Sequence, residues 1–158
     1  MMDWKRSFAD TKVGDVYDLI VKSPSKVQRS AKIWEVIDQM LKNPTSRKVY
    51  VIDVEGNLVG VVNTEMILRL IGYRVGVKEN SSMAFVHFLQ DTLKEEVEGI
   101  MILKVRPVKK ETPLTEALKN MIEFHVNDLP VVDDDHKLIG ELMSSELFIA
   151  AKRLFESP

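Results

Sequence analysis

The hydrophobic residues between positions 27 and 44 follow a helical pattern. The apolar positions keep the i, i+3, i+4, i+7, i+8 spacing of one helix face, and they are Ile33, Val36, Ile37, Met40 and Leu41. Asn43-Pro44 ends this pattern, because proline cannot continue a helical backbone ladder. The segment therefore predicts a short extended stretch at 27–29, followed by an amphipathic helix of about three turns.

Two runs rich in β-branched residues come next, over 48–54 and 58–62. Glu55-Gly56-Asn57 lies between them and provides residue types that adopt positive φ in a tight turn. The two runs therefore predict an antiparallel hairpin. Thr64 follows the second run and predicts the N-cap of a closing helix over 65–71.

The same order of elements returns in the second half of the chain. The predicted elements are an extended segment at 107–110, a helix over 114–124, strands over 129–132 and 138–142, and a helix from Ser144 or Ser145 to Phe155. Between the two halves, residues 72–80 predict a flexible loop. The apolar stripe from Met83 to Ile100 predicts a linking helix of about four turns.

The two halves match residue by residue. Val49-Tyr50-Val51-Ile52-Asp53 returns 80 positions later as Leu129-Pro130-Val131-Val132-Asp133, and Leu58-Val59-Gly60 returns as Leu138-Ile139-Gly140. The preceding helices match with a shift of 81, so one residue is gained or lost in the loop after the first helix. Such a chain is a pair of similar supersecondary units, and positions where the copies differ are the first candidates for function.

Two units of this kind resemble a pair of cystathionine β-synthase (CBS) domains, over roughly residues 13–151. The resemblance rests on the two strand ends that finish in aspartate, and on Gly60-Val61-Val62 and Gly140-Glu141-Leu142, which each lead into a helix. It implies an α/β fold in which two β-α-β-β-α repeats pack sheet to sheet about a pseudo-two-fold axis. It also implies clefts between the repeats that often hold adenine nucleotides, and pairing of two chains into a homodimer.

The expected domain order is an N-terminal arm at 1–12, a first repeat at 13–72, a loop and linking helix at 73–96, and a second repeat at 97–158. The chain has 158 residues, no cysteine and a formal net charge of −2. The lack of cysteine excludes disulfides, thiol catalysis and thiolate metal sites. No apolar run is long enough to span a bilayer, so we expect a soluble, cytoplasmic protein that does not associate with a membrane.

The family resemblance also indicates which positions would bind a nucleoside. In nucleotide-binding members, the glycine after the second strand is followed by Ser or Thr three positions on and by Asp six positions on, and these hold the ribose hydroxyls. Here those positions are Asn63 and Met66 in the first repeat, and Met143 and Glu146 in the second. Loss of a charged hydrogen bond costs about 1.5 to 3 kcal/mol, so the resemblance favours the cleft that contains Glu146.

The favoured cleft would be lined by Pro107, Val108, Leu129, Pro130, Val131, Ser144 and Glu146, with Lys104, Arg106, Lys109 and Lys110 available for phosphates. The weaker cleft would be lined by Val27, Val49, Tyr50, Val51, Asn63 and Thr64. In the alternative interpretation, Glu146 is a solvent-facing residue in the first turn of a helix, where the helix dipole favours it.

Other reactive side chains do not form a recognisable site. Asp133-Asp134-Asp135-His136 resembles a cluster for a hard metal ion, but it occupies a predicted hairpin turn, where aspartate is common. His87 and His125 have no nucleophile or carboxylate at a catalytic spacing, and the chain has no Gly-rich phosphate loop. The sequence therefore predicts no metal and no enzyme activity.

Two hypotheses remain. The first is a non-catalytic regulatory module that needs no cofactor, binds AMP, ADP, ATP or S-adenosylmethionine between its repeats, and acts by conformational change on an unknown protein partner. The alternative is a ligand-free dimerisation or interaction scaffold whose clefts are closed by side chains such as Met66 and Met143. The balanced charge, and the lack of aromatic residues within the basic run at 104–110, disfavour nucleic-acid binding.

Overall fold

The structure, a computed structural model, describes residues 9–20, 22–76 and 82–156. Within these residues the chain forms five strands and five helices: β1 (Lys26–Gln28), α1 (Ile33–Lys42), β2 (Lys48–Ile52), β3 (Leu58–Asn63), α2 (Thr64–Gly76), α3 (Ser82–Leu93), α4 (Leu114–Glu123), β4 (Asp128–Val132), β5 (Leu138–Met143) and α5 (Ser144–Glu156). Two 3-10 turns lie at Val13–Asp15 and Val97–Gly99. The mixed α/β fold and the predicted order of elements in each repeat are confirmed.

Each hairpin is closed by the aspartate that follows its first strand. The Oδ1 atom of Asp53 accepts the backbone N–H groups of Glu55 and Asn57, each at 2.9 Å. Asp133 makes the two matching bonds at 2.9 and 3.0 Å. The first strand of the hairpin therefore ends at Ile52, two residues earlier than predicted, because Asp53 already belongs to the turn.

The strands form two sheets. In the first, β1 pairs in parallel with β2, and β2 pairs antiparallel with β3. In the second, β4 pairs antiparallel with β5. The predicted extended segment at 107–110 contributes only one parallel bridge, from Val108 to Val131. It does not continue as a strand, because the carbonyl of Lys110 instead accepts the N–H of Gly14 at 2.9 Å.

The chain divides into two compact units. One contains Ser25–Val105, and its core is built from Ala31, Ile33, Val36, Val49, Val51, Val62, Ile67 and Val97. The other contains the described residues up to Pro24 together with those from Arg106 onward, and its core includes Val13, Val16, Val108, Leu114, Ala117, Leu129, Val131, Leu142 and Leu147. Each unit thus has its own hydrophobic core around its own hairpin.

The 3-10 turn at the beginning of each repeat belongs to the unit that contains the hairpin of the other repeat. The N–H of Val13 donates to the carbonyl of Thr112 at 2.9 Å, next to the start of α4. In the other unit, the N–H of Val97 donates to the carbonyl of Ala31 at 2.8 Å, next to the start of α1. The side chains of Val13 and Val97 are both fully buried, so each turn is a part of its unit's core.

Two predictions about the linking region are wrong. The linking helix ends at Leu93. Val97 lies in a separate 3-10 turn, because its N–H donates to the carbonyl of Ala31 and its side chain is buried in the core. Residues 72–76 continue α2 and are not a loop. The rest of the predicted loop, from Val77 onward, lies outside the described residues. In the described part of the chain, no helix is both long and apolar enough to cross a membrane.

Candidate functional site

The first turn of α5 contains the acidic residue that the sequence assigned to the favoured cleft. Glu146 is completely buried. Its Oε1 accepts the N–H of Met143 at 2.9 Å, and its Oε2 accepts the N–H groups of Leu19 and Ile20 at 2.8 and 3.2 Å. The interpretation of Glu146 as a solvent-facing residue is therefore wrong. Its carboxylate joins the start of α5 to the segment at 19–20, and in this arrangement a ribose hydroxyl has no access to it.

The electrostatics of Glu146 reflect a balance between burial and hydrogen bonding. Loss of solvent raises the pKa of the carboxyl above its usual range, the three backbone N–H donors oppose that shift, and the negative charge of Asp18 adds to it. Burial is the strongest of these effects, so the net pKa of Glu146 is raised. The first turn of a helix partly offsets the cost of the buried charge.

A titration of stability should reveal this raised pKa. The folded protein holds the Glu146 proton more tightly than the unfolded chain does, so folding takes up a proton from about pH 4.5 up to the raised pKa. We expect the free energy of unfolding of the wild type to fall, relative to that of Glu146→Gln, as pH rises through this window. Urea unfolding at intervals between about pH 4 and pH 7 measures the difference. A difference that grows with pH would contradict the assignment.

The corresponding helix start in the first repeat is built differently. The Oδ1 atom of Asn63 accepts the N–H of Met66 at 2.8 Å, so Asn63 caps α2 and the prediction that Thr64 is the cap is wrong. Both the N–H and the hydroxyl of Thr64 donate to the carbonyl of Arg47, at 3.0 and 3.2 Å. The first repeat therefore uses a local cap where the second uses the long-range contact of Glu146.

Ser144 in the second repeat occupies the position of Thr64. Its N–H donates to the carbonyl of Asn127 at 2.8 Å, the same backbone bond that Thr64 makes to Arg47. Its side chain is partly exposed. Of Ser144 and Glu146, the two polar residues that the sequence placed in the lining of the favoured cleft, Ser144 is therefore the one with solvent exposure.

Most apolar residues assigned to the clefts lie in the hydrophobic cores. Val108, Leu129 and Val131 are at most 3% exposed and pack within one core, and Val49 and Val51 are fully buried in the other. Their side chains cannot form the walls of a ligand site without leaving the core. Tyr50 and Pro130 are also buried, whereas Val27 and Pro107 are partly exposed.

Two of the basic residues proposed for phosphate binding, Lys109 and Arg106, already have partners within the chain. The Nζ of Lys109 lies 3.1 Å from Asp134 Oδ1, and the guanidinium of Arg106 lies 3.4 Å from the centroid of the Phe124 ring. The Lys109 pair is exposed, so it contributes little stability and can open for an anion. In the described residues, no group of three or more His, Cys, Asp or Glu side chains is placed to hold a metal ion.

The structure adds residues that the sequence interpretation did not include. The ring of Tyr17 covers the backbone of Gly140, and the side chain of Met101 covers that of Gly60. Tyr17 and Met101 occupy equivalent positions after the two 3-10 turns. They are 84 positions apart in sequence, as are Val13 and Val97, where the turns begin. This third repeated segment was the signal that could have identified them.

These paired segments and paired hairpins agree with a comparison to known protein families. A family model described as the CBS domain matches residues 13–73 and again residues 97–153. This chain belongs to the CBS domain family. The two matched regions make it a tandem pair, in which each CBS repeat supplies one hairpin and two helices to the units described above.

Three other proteins are similar to this chain over most of their length. An uncharacterised protein from Methanocaldococcus jannaschii is 26% identical over 148 residues, which cover 83% of this chain and 88% of that protein. The crystal structure of a CBS domain-containing protein from Thermotoga maritima is 31% identical, covers 91% of this chain and 96% of its own, and has a TM-score of 0.71. The crystal structure of CBSX2 in complex with AMP is 25% identical, covers 91% and 98%, and has a TM-score of 0.70.

Proposed function

We propose that this CBS pair is a non-catalytic regulatory module that binds an adenine nucleotide or a related adenosine ligand. The observation that carries the proposal is the similarity to CBSX2 in complex with AMP, which extends over 91% of this chain and 98% of that one. A likeness over the whole length of both chains supports a shared mode of action better than a local motif does. The choice among AMP, ADP, ATP and S-adenosylmethionine is left to the binding experiment.

The second repeat offers the better place for such a ligand. Ser144 has a partly exposed hydroxyl at the start of α5, and Lys109 can release its exposed partner to meet a phosphate. Main-chain groups beside Pro107 and Pro130 would form hydrogen bonds with the base, because the neighbouring apolar side chains are in the core. Glu146 would act as a positioning residue, since it fixes residues 19–20 against α5.

Calorimetry with AMP tests this proposal. We expect about one strong site per chain, and a Ser144→Ala variant that binds roughly 3- to 10-fold more weakly, because a neutral hydrogen bond is worth about 1 kcal/mol. Thr64→Ala is the matched control in the first repeat and should bind as the wild type does. ADP, ATP and S-adenosylmethionine complete the panel. No detectable binding of any of the four, or weakening by Thr64→Ala in place of Ser144→Ala, would contradict the assignment.

A regulatory effect requires that the ligand distinguish two conformations of the protein. A ligand with equal affinity for both leaves their populations unchanged, however tightly it binds. We propose that the conformational change is read by a separate protein partner. Binding of AMP with no change in hydrogen exchange anywhere in the chain would argue against this step.

A second candidate function, a dimerisation scaffold, is favoured by apolar residues on the closing helices. Leu68 on α2 and Phe148 on α5 are equivalent positions of the two repeats, and each is 64% exposed. Their neighbours Ile67 and Leu147 are buried in the cores. Each helix therefore has an exposed apolar residue in addition to those on its buried face. The scaffold function and the ligand-binding function can coexist in a homodimer.

Light scattering checks the homodimer. We expect the wild type to have the mass of a dimer at tens of micromolar, and Phe148→Glu to shift it to the monomer, because a charge would be buried in the interface. Val54→Glu is the control, since Val54 is an apolar residue in a hairpin turn with 94% exposure. A monomeric wild type, or a dimer unchanged by both Leu68→Glu and Phe148→Glu, would contradict the proposal.

A further inference from the structure

A groove within the unit 25–105 runs between strand β1 and helix α1. It has a volume of about 480 Å³, with Lys26, Val27 and Gln28 on one wall and Trp34, Glu35 and Asp38 on the other. Val27, which the sequence assigned to the weaker cleft, lines it, but none of the residues assigned to the favoured cleft does. The groove is therefore separate from the site proposed in the second repeat, and what it binds has to be argued from its own chemistry.

One wall of the groove is the open edge of a sheet. β1 is the outer strand of its sheet, and Ser25 and Arg29 direct their backbone groups toward β2 through bonds of 2.9 and 3.1 Å. Because these directions alternate along a strand, the backbone groups of Lys26 and the N–H of Gln28 point away from β2. In the described part of the chain, no hydrogen bond reaches the main chain of Lys26 from that side. An open edge of this kind pairs with another extended chain.

The opposite wall, the first turns of α1, combines an exposed aromatic ring with the carboxylates of Glu35 and Asp38, of which Glu35 already accepts the N–H of Lys32 at 2.6 Å. Trp34 is 53% exposed, and the side chain of Asp38 is 48% exposed with Lys42 as its i+4 partner. The exposed pair with Lys42 is weak and can exchange for another cation. An exposed indole beside acidic groups favours an apolar or cationic side chain on the bound segment.

The second repeat provides an internal comparison, because it lacks these features at the equivalent positions. Lys26 is replaced there by Pro107, which has no N–H, and Trp34 is replaced by Thr115. Asp38 is replaced by Lys119 while Glu35 is retained as Glu116, so the net negative charge of that wall is lost. The groove chemistry thus belongs to the first repeat alone, although both repeats keep the same fold.

We infer that the groove between β1 and α1 is a docking site for an extended peptide segment of a partner protein, one that carries a basic residue and an apolar residue. The segment pairs with the outer edge of β1 through main-chain hydrogen bonds. Its side chains on one face alternate with period two, so an apolar side chain contacts Trp34 and a basic one contacts Asp38. This inference does not depend on the adenosine ligand.

Selection from a phage-displayed library of random linear decapeptides tests the site. Wild type is the bait, and Trp34→Thr/Asp38→Lys, which copies the second repeat, is used for counter-selection. We expect enriched peptides to contain a basic residue two or four positions from an apolar one. Synthetic copies, measured by fluorescence anisotropy, should lose at least tenfold in affinity for Trp34→Thr. Equal enrichment on the two baits, or no enrichment at all, would overturn the site.

Lys26 allows the strand pairing itself to be tested. Lys26→Pro removes the N–H from the outer edge of β1, where proline is tolerated, and should abolish peptide binding. Lys26→Ala retains that N–H and should leave the main-chain pairing intact. Circular dichroism confirms that both variants are folded. Equal binding by the two variants would overturn the pairing, and a wild-type dimer that Trp34→Thr dissociates would show that a second copy of the chain fills the groove.

Discussion

Replacing Glu146 with alanine is expected to lower the free energy of unfolding by about 3 kcal/mol, a large part of the roughly 5 to 15 kcal/mol of a typical domain. The variant leaves the N–H groups of Leu19, Ile20 and Met143 without their acceptor in a partly buried position. Each unsatisfied buried donor costs about 1 to 3 kcal/mol. Water that enters near residues 19 and 20 recovers part of this loss. Urea unfolding measures the change.

A neighbouring position in the same helix turn provides the control for Glu146→Ala. Ser145→Ala changes a partly exposed residue of α5 and should stay within about 0.5 kcal/mol of wild type. Hydrogen exchange at Leu19 and Ile20 should accelerate in Glu146→Ala but not in Ser145→Ala, because only the first loses the bond that protects those amides. A loss below about 1 kcal/mol, with protection at both amides unchanged, would show that the carboxylate does not hold this segment.

Gly140→Ala is expected to destabilise the protein by about 2 to 3 kcal/mol. A Cβ atom at this position would lie 2.4 Å from two ring carbons of Tyr17, closer than any real contact. The rigid ring has to move out of its place against β5, so the packing of the 3-10 turn at Val13–Asp15 is disturbed as well. Gly60→Ala should cost less, because its nearest neighbour is the flexible end of Met101 at 2.6 Å.

A double-mutant cycle separates this clash from other effects of the added methyl group. In a Tyr17→Ala background, Gly140→Ala should cost less than about 1 kcal/mol, since the ring is absent. Gly72→Ala is the second control: it lies in α2 with open space around it, and the better helix propensity of alanine should stabilise the protein by up to about 1 kcal/mol. An equal cost of Gly140→Ala in both backgrounds would rule out the contact with Tyr17.

The sequence was sufficient for the elements of each repeat because their signals are local. The spacing from Ile33 to Leu41 and the two hairpins correspond to α1 and the four hairpin strands within one or two residues. Gly60 and Gly140 were recognisable because both repeats have glycine at this position, and each allows the close approach of a side chain. The linking helix was placed too long, because an apolar stripe does not show that Val97 is held by Ala31, 66 residues earlier.

The candidate site was less predictable for the same reason. The family resemblance pointed to Glu146, a position where the two copies differ, but its partners Leu19 and Ile20 lie 127 and 126 residues away in sequence. The donors are backbone N–H groups, which every residue except proline possesses, so no residue type marks them. Position alone therefore suggested a ligand contact where the structure has a contact within the chain.

The exchanged 3-10 turns affect the order in which the protein can complete its fold during synthesis. The unit at 25–105 is continuous in sequence, so all its parts are available once Val105 has left the ribosome. The other unit needs Val13 and residues of α5, which lie on opposite sides of the unit at 25–105 in the sequence. Domains usually fold in the order in which they emerge. Here the segment of Val13 emerges before the unit at 25–105 but joins the unit that is completed after it, and its buried face waits for its partners until α5 is made.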